Sequence, residues 1–168
     1  MKCPQCEFEN RPQAKFCEMR QAVGGRLAIL AGRDRSYVAV LLAEAPAQEG
    51  QIKEGHEVVS EELSRVHKTG EGVYEAELNR FKGELLLTQT VPDQAEAEDC
   101  FRRAINVSRR QEAKSLELRA AMSLSRLWQR QGKQEEARKL LAEIYGWFIE
   151  GFDTADLKAA KALLEELA

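Results

Sequence analysis

The sequence predicts an all-α chain of helical-hairpin repeats stacked as a superhelix, preceded by a short irregular segment. Three observations predict it. From about Ser36 onward the chain is rich in Ala, Leu, Glu, Lys, Arg and Gln, and apolar residues recur at three- and four-residue intervals. That is the period of amphipathic helices. Breaks then fall regularly, at QEGQ (48–51), KTGEG (68–72), TQTVPDQ (88–94), near Gln111, at QGKQ (131–134) and at GFDT (151–154), so that the helices pair through short turns. Finally, the chain resembles itself at an offset of about 40 residues.

The self-similarity is clearest in the second helix of each pair. AEAEDCFRRAI (95–105) superimposes on QEEARKLLAEI (134–144), with Ala97, Phe101 and Ala104 matching Ala137, Leu141 and Ile144. GQIKEGHEVVSEEL (50–63) enters the same frame with Gly55, Val59 and Glu62. A first helix precedes each: VAVLLAEAPAQEG (38–50), YEAELNRFKGELLL (74–87) and LRAAMSLSRLWQRQG (118–132). The last segment, DTADLKAAKALLEEL (153–167), has an N-cap in Asp153 or Thr154 and Asp156 in its first turn, which suits a capping helix.

These positions resemble the tetratricopeptide repeat, whose small-large-small pattern lets paired helices approach closely. Ala121, Leu124, Ser125, Trp128, Gly132, Ala137, Leu141 and Ile144 occupy its positions in order in the third unit, and Gly83, Leu86, Ala97, Phe101 and Ala104 in the second. The first unit keeps Leu42, Ala43, Gly50 and Gly55, but Pro46 stands where the repeat carries a large aromatic, and Glu62 where it carries a small apolar residue. A proline inside a helix costs roughly 3 kcal/mol through one lost hydrogen bond and a clash with the preceding turn. The first repeat is therefore expected to be kinked or loosely packed.

A more specific resemblance covers nearly the whole chain. YEAELNRFKGELLL, AEAEDCFRRAINVSRRQEAKSLELRAAMSLSRLWQRQGK and YGWFIEGFDTADLKAAKALLEEL look like the C-terminal end of bacterial multidomain proteins. Those proteins combine a class III adenylate/guanylate cyclase domain, an AAA-type ATPase domain and a C-terminal run of tetratricopeptide repeats. Some of them begin with a short zinc ribbon, which CPQCEFENRPQAKFC (3–17) resembles. The catalytic parts are missing here. There is no G-x-x-x-x-G-K-[ST] loop to cradle phosphates, GGRLA (24–28) has no lysine, and the span between the two similar ends is too short for a cyclase. The chain looks like the two ends of such a protein joined after loss of the catalytic middle, so neither cyclase nor ATPase activity is expected.

The N-terminal cysteines raise a metal question. Cys3 and Cys6 form a C-x-x-C pair and Cys17 follows after ten residues, a spacing that suits zinc. A second pair would end at position 20, which is Arg20, and a guanidinium cannot be a ligand. Zinc held weakly through Cys3, Cys6 and Cys17, and a relic that holds none, remain the two readings, the relic being preferred. No other cofactor is expected. His56 and His67 read as surface histidines, and Cys100, beside Phe101, as a packing residue.

The second candidate site is the groove lined by the first helix of each pair. Carrying the repeat's ligand-facing positions over gives Glu44, Glu77, Arg80, Glu84, Arg119, Arg126 and Arg130, acidic towards the early repeats and basic in the last. An arginine-lined groove suits a peptide carboxylate or acidic segment. Trp128, Tyr145, Trp147 and Phe148, at helical spacing, read as core.

A net charge of -3 weighs against nucleic acid, and FRRAINVSRR (101–110) reads as the solvated side of a helix. No apolar run is long enough to span a membrane, and the polar N-terminus is no signal peptide, so a cytoplasmic location is expected. The expected layout is a degenerate zinc-ribbon-like segment (1–25), a linker (26–35), three repeats (about 36–70, 73–111 and 114–150) and a capping helix (153–167). The expected role is non-catalytic protein–protein interaction, with a protein or peptide partner and a tendency to self-associate through an exposed apolar end. A small zinc-binding regulatory module is the alternative.

Overall fold

Helix boundaries follow from local chemistry. A computed structural model of the chain describes residues 49–70, 72 and 74–168, with side chains from residue 55 onward. These residues form six α-helices and no strand: α1 (Glu49–Thr69), α2 (Glu75–Thr88), α3 (Gln94–Arg110), α4 (Lys114–Arg130), α5 (Gln134–Tyr145) and α6 (Ala155–Glu166). At the start of α3 the Asp93 carboxylate accepts a hydrogen bond from the Glu96 backbone N–H at 2.9 Å, and Arg109 and Arg110 oppose the carbonyl dipole in its last turn. The N-cap of α6 is Thr154, whose hydroxyl does not cap the helix but donates to the Gly151 carbonyl at 2.7 Å.

The turns after α3 and α4 close alike. Ala113 N–H donates to Ser108 O, and Lys133 N–H to Trp128 O, both at 2.9 Å. This closure needs one residue in the left-handed region. Gly132 takes it after α4 with φ 77°, but Glu112 takes it after α3 with φ 56°, a conformation that strains a residue bearing a Cβ.

Each helix packs on its sequence neighbour, and α2 also touches α4 while α4 touches α6. Even-numbered helices therefore stand side by side along one face, which is the arrangement a helical repeat produces. The main core joins α2 through α6 by way of Phe101, Leu118, Leu124, Leu127, Leu141 and Ile144, and α6 closes it with Leu157, Ala160 and Leu163. A second, smaller cluster sits between α1 and α2, built from Val59, Leu63, Val66, Leu78, Phe81 and Leu85.

Small residues set how close paired helices come. A Cβ on Gly83 would lie 2.6 Å from Phe101 Cε1, so the α2–α3 contact as it stands needs glycine there, and any side chain would displace the Phe101 ring. In the next pair Ser125 takes that place and its hydroxyl donates to the Ala137 carbonyl at 3.2 Å. Gly55 of α1 is less constrained, since an added Cβ would meet Leu85 Cδ1 at 3.7 Å. Glu62, where a small apolar residue was expected, is 3% exposed and pairs with Arg65 at 2.6 Å.

One core assignment needs correction. Trp128 is buried, and Tyr145 and Phe148 pack half-buried against the core, but Trp147 is 64% exposed. Helix α5 ends at Tyr145, so the helical spacing that suggested a core position does not extend to residue 147. The zinc-ribbon-like segment, the linker, Pro46 and the first helix of the first repeat up to residue 48 lie outside the described residues, and residues 49 and 50, read as the end of that helix, instead begin α1. Among the described residues no helix is long and apolar enough to cross a membrane.

Gly83→Ala is expected to lower stability by about 1–3 kcal/mol, because the Phe101 ring must leave its packed position. Gly55→Ala is expected to be neutral or mildly stabilising. Urea denaturation of the two variants beside the parent protein measures the contrast.

Candidate functional site

The even-numbered helices carry a connected set of charges along their shared face. On α2, Glu77, Arg80 and Glu84 are three and four residues apart and so lie on one side of the helix. Arg80 Nε and Nη2 donate to the two oxygens of Glu77 at 3.0 and 2.8 Å, while Nη1 meets Glu84 Oε1 at 2.5 Å. Glu77 and Arg80 are 3% and 7% exposed. A buried charge is tolerated only when paired and hydrogen-bonded. Burial works against the charged form of Arg80, but its bonds and proximity to Glu77 and Glu84 outweigh that and raise its pKa above the ordinary value.

The set extends across helices. Arg119 of α4 reaches Glu77 at 2.7 Å and Asp156 of α6 at 3.8 Å, so the Glu77 carboxylate links α2 with α4, and Arg119 carries the link to α6. One turn along, the Ser123 hydroxyl donates to Glu84 at 2.9 Å. Further along α4, at the spacing that keeps residues on the Arg119–Ser123 side, stand Arg126 and Arg130. Both are exposed, and neither has an ion-pair partner among the described residues.

Of the residues proposed from sequence for the groove, Glu77, Arg80, Glu84 and Arg119 thus come together, but as groups that satisfy one another. Arg126 and Arg130 face solvent. Glu44 lies outside the described residues, as do Cys3, Cys6 and Cys17. Cys100 is a free thiol, 1% exposed, and burial pushes its pKa up, which suits packing and not reactivity. Among the described residues no group of three or more His, Cys, Asp or Glu side chains could hold a metal.

Sequence reasoning missed two further buried or half-buried carboxylates. Glu117 is 2% exposed at the start of α4, where Arg109 of α3 and Lys114 bind it at 2.6 and 2.8 Å. Burial pushes its pKa up, but the bonds from Arg109 and Lys114 prevail and hold it below the usual carboxylate range. Glu98 is held low in the same way, burial being outweighed by the Arg102 hydrogen bond and the charge of Lys133. Arg102, fixed by Glu98 at 2.8 Å, lies over the Trp128 ring at 5.3 Å, and Lys114 lies over Trp147 at 4.2 Å. The one signal available was spacing, since Glu98–Arg102 and Lys114–Glu117 are helical neighbours.

Comparison with protein-family models, with curated proteins and with solved structures gives no match to this chain.

Arg80→Met is expected to cost about 3 kcal/mol, because it leaves the buried Glu77 with Arg119 alone among these partners; thermal or urea unfolding measures it. Glu98 and Glu117 have depressed folded-state pKa values, so their contribution is present above the ordinary carboxylate value of 4.5 and is lost as pH falls through the folded values. Stability is accordingly expected to decline below about pH 4.5. Glu117→Gln is expected to lower stability at neutral pH by about 1 kcal/mol, discounted for the half-exposed cations, and to flatten that decline.

Proposed function

We propose that the chain is a non-catalytic protein–protein interaction module of tetratricopeptide type, with α2, α4 and α6 as the inner helices of its superhelix. One observation carries this reading: the face shared by those helices is charged and braced by its own ion pairs, yet presents Arg126 and Arg130 to solvent without partners among the described residues. Bracing lowers the ordering cost of binding on that face. Two guanidinium groups one turn apart, each able to make paired hydrogen bonds to a carboxylate, suit an acidic peptide segment or a free peptide carboxylate. The small-large-small pattern supports the same reading, since Gly83 lies against Phe101, the Ser125 hydroxyl bonds the Ala137 carbonyl, and Ala97 and Leu141 are fully buried.

Fluorescence anisotropy against labelled acidic peptides, each with a free and an amidated C-terminus, tests the reading. Charge reversal at Arg126 and Arg130 together is expected to weaken the best binder at least about tenfold, or about 1.4 kcal/mol, with the melting temperature unchanged. Unchanged affinity in that variant would remove this face from the account.

A further inference from the structure

The connection between α5 and α6, residues 146–154, is the most apolar exposed surface that the described residues offer. Trp147 is 64% exposed, Ile149 90% and Phe152 46%, together on the order of 400 Å² of accessible side chain. Three large apolar side chains exposed within six residues of one loop are comparable in area to the largest apolar patch of an ordinary monomer, which is often an interaction surface. The patch is held in place. Tyr145, at the end of α5, pairs with Phe152 across the loop at a ring-centroid distance of 5.9 Å, and Lys114 holds Trp147 from the start of α4. Lys114 is itself fixed by Glu117 at 2.8 Å.

Charge says what would cover it. From Leu140 through Leu157 there is no lysine or arginine, whereas Glu143, Glu150, Asp153 and Asp156 all fall within that span. Asp156 faces Arg119, but Glu143, Glu150 and Asp153 are exposed and have no ion pair among the described residues. Lys114, the cation that reaches the loop's rings, is already committed to Glu117. A loop that exposes apolar side chains together with unpaired carboxylates repels an anionic membrane surface, which attracts basic segments. It complements a segment of another protein that combines apolar side chains with lysines or arginines.

We infer that the α5–α6 loop is a docking site for a basic amphipathic segment of a partner protein, with Trp147, Ile149 and Phe152 as the apolar contact and Glu150 and Asp153 as the charge complement. Lys114 and Arg130 stand at opposite ends of α4, separated by about 24 Å at 1.5 Å per residue. The site is thus distinct from the arginine face and does not depend on it.

Trp147 supplies the reporter, because Trp128, the other tryptophan, is buried. The full chain is titrated with a synthetic amphipathic helix of leucine and lysine, with its leucine–glutamate counterpart, and with phosphatidylserine vesicles. The expected result is a blue shift of tryptophan emission with the lysine peptide alone. That shift is lost in Trp147→Phe, and in Glu150→Lys/Asp153→Lys, whose melting temperature is unchanged, the peptide's affinity falls at least tenfold. An equal response to the glutamate peptide or to vesicles overturns the proposal. So does retained affinity in the double variant, no shift at all, or an emission shift that follows protein concentration without peptide, which would assign the patch to a second copy of the chain.

Discussion

A carboxylate buried in a helical layer must be met by cations, and Glu77 imposes that condition here. It is 3% exposed, and it is met by Arg80 on its own helix and by Arg119 on α4. Arg80 already compensates Glu77 within α2, and Arg119 adds a second cation from α4, so the stacking register that brings Arg119 to Glu77 is favoured over its neighbours. Arg119 then extends the tie to Asp156 at the start of α6. Apolar burial drives the helices together without direction; the ionic set fixes how far one slides along the next. The spacing within each pair is set separately, by Gly83 against Phe101 and Ser125 against Ala137.

That division of labour bears on function. A face whose charges are consumed in pairs is rigid and has little left to offer a ligand. Glu77, Arg80 and Glu84 therefore serve as bracing, and recognition passes to the cations beyond the braced stretch, Arg126 and Arg130. At the other end of α4 the same economy recurs: Glu117 occupies Arg109 and Lys114, and Lys114 in turn positions Trp147. The loop that follows is left with carboxylates and exposed apolar side chains, a different chemistry from that of the arginine face.

Much of the fold was legible because helices announce themselves locally. The apolar period, the start of α6 near Thr154 and the glycine at 132 need no knowledge of distant residues, and the small residues at 83 and 125 mark where helices touch. What escaped depends on contacts from far along the chain or on the end of a helix. Glu77 reads as a ligand-facing residue of the groove until Arg119, in the next hairpin, is placed beside it. Glu112 in a left-handed turn carries no glycine to mark it. Trp147 keeps helical spacing from Ile144, but the helix stops at Tyr145 and leaves the ring outside. The candidate groove was legible as a set of positions, though not in which members pair with one another, because pairing is a property of side-chain geometry.

The register argument is tested most directly by a double-mutant cycle on Glu77 and Arg119. Stability is measured for the parent, Glu77→Gln, Arg119→Met and the double variant. The account predicts strong non-additivity, with a coupling of about 1–3 kcal/mol, as expected for two groups that share one buried ionic set. Additivity within about 0.5 kcal/mol would show that the two side chains act independently, and would contradict the claim that Glu77 sets the stacking of α2 on α4.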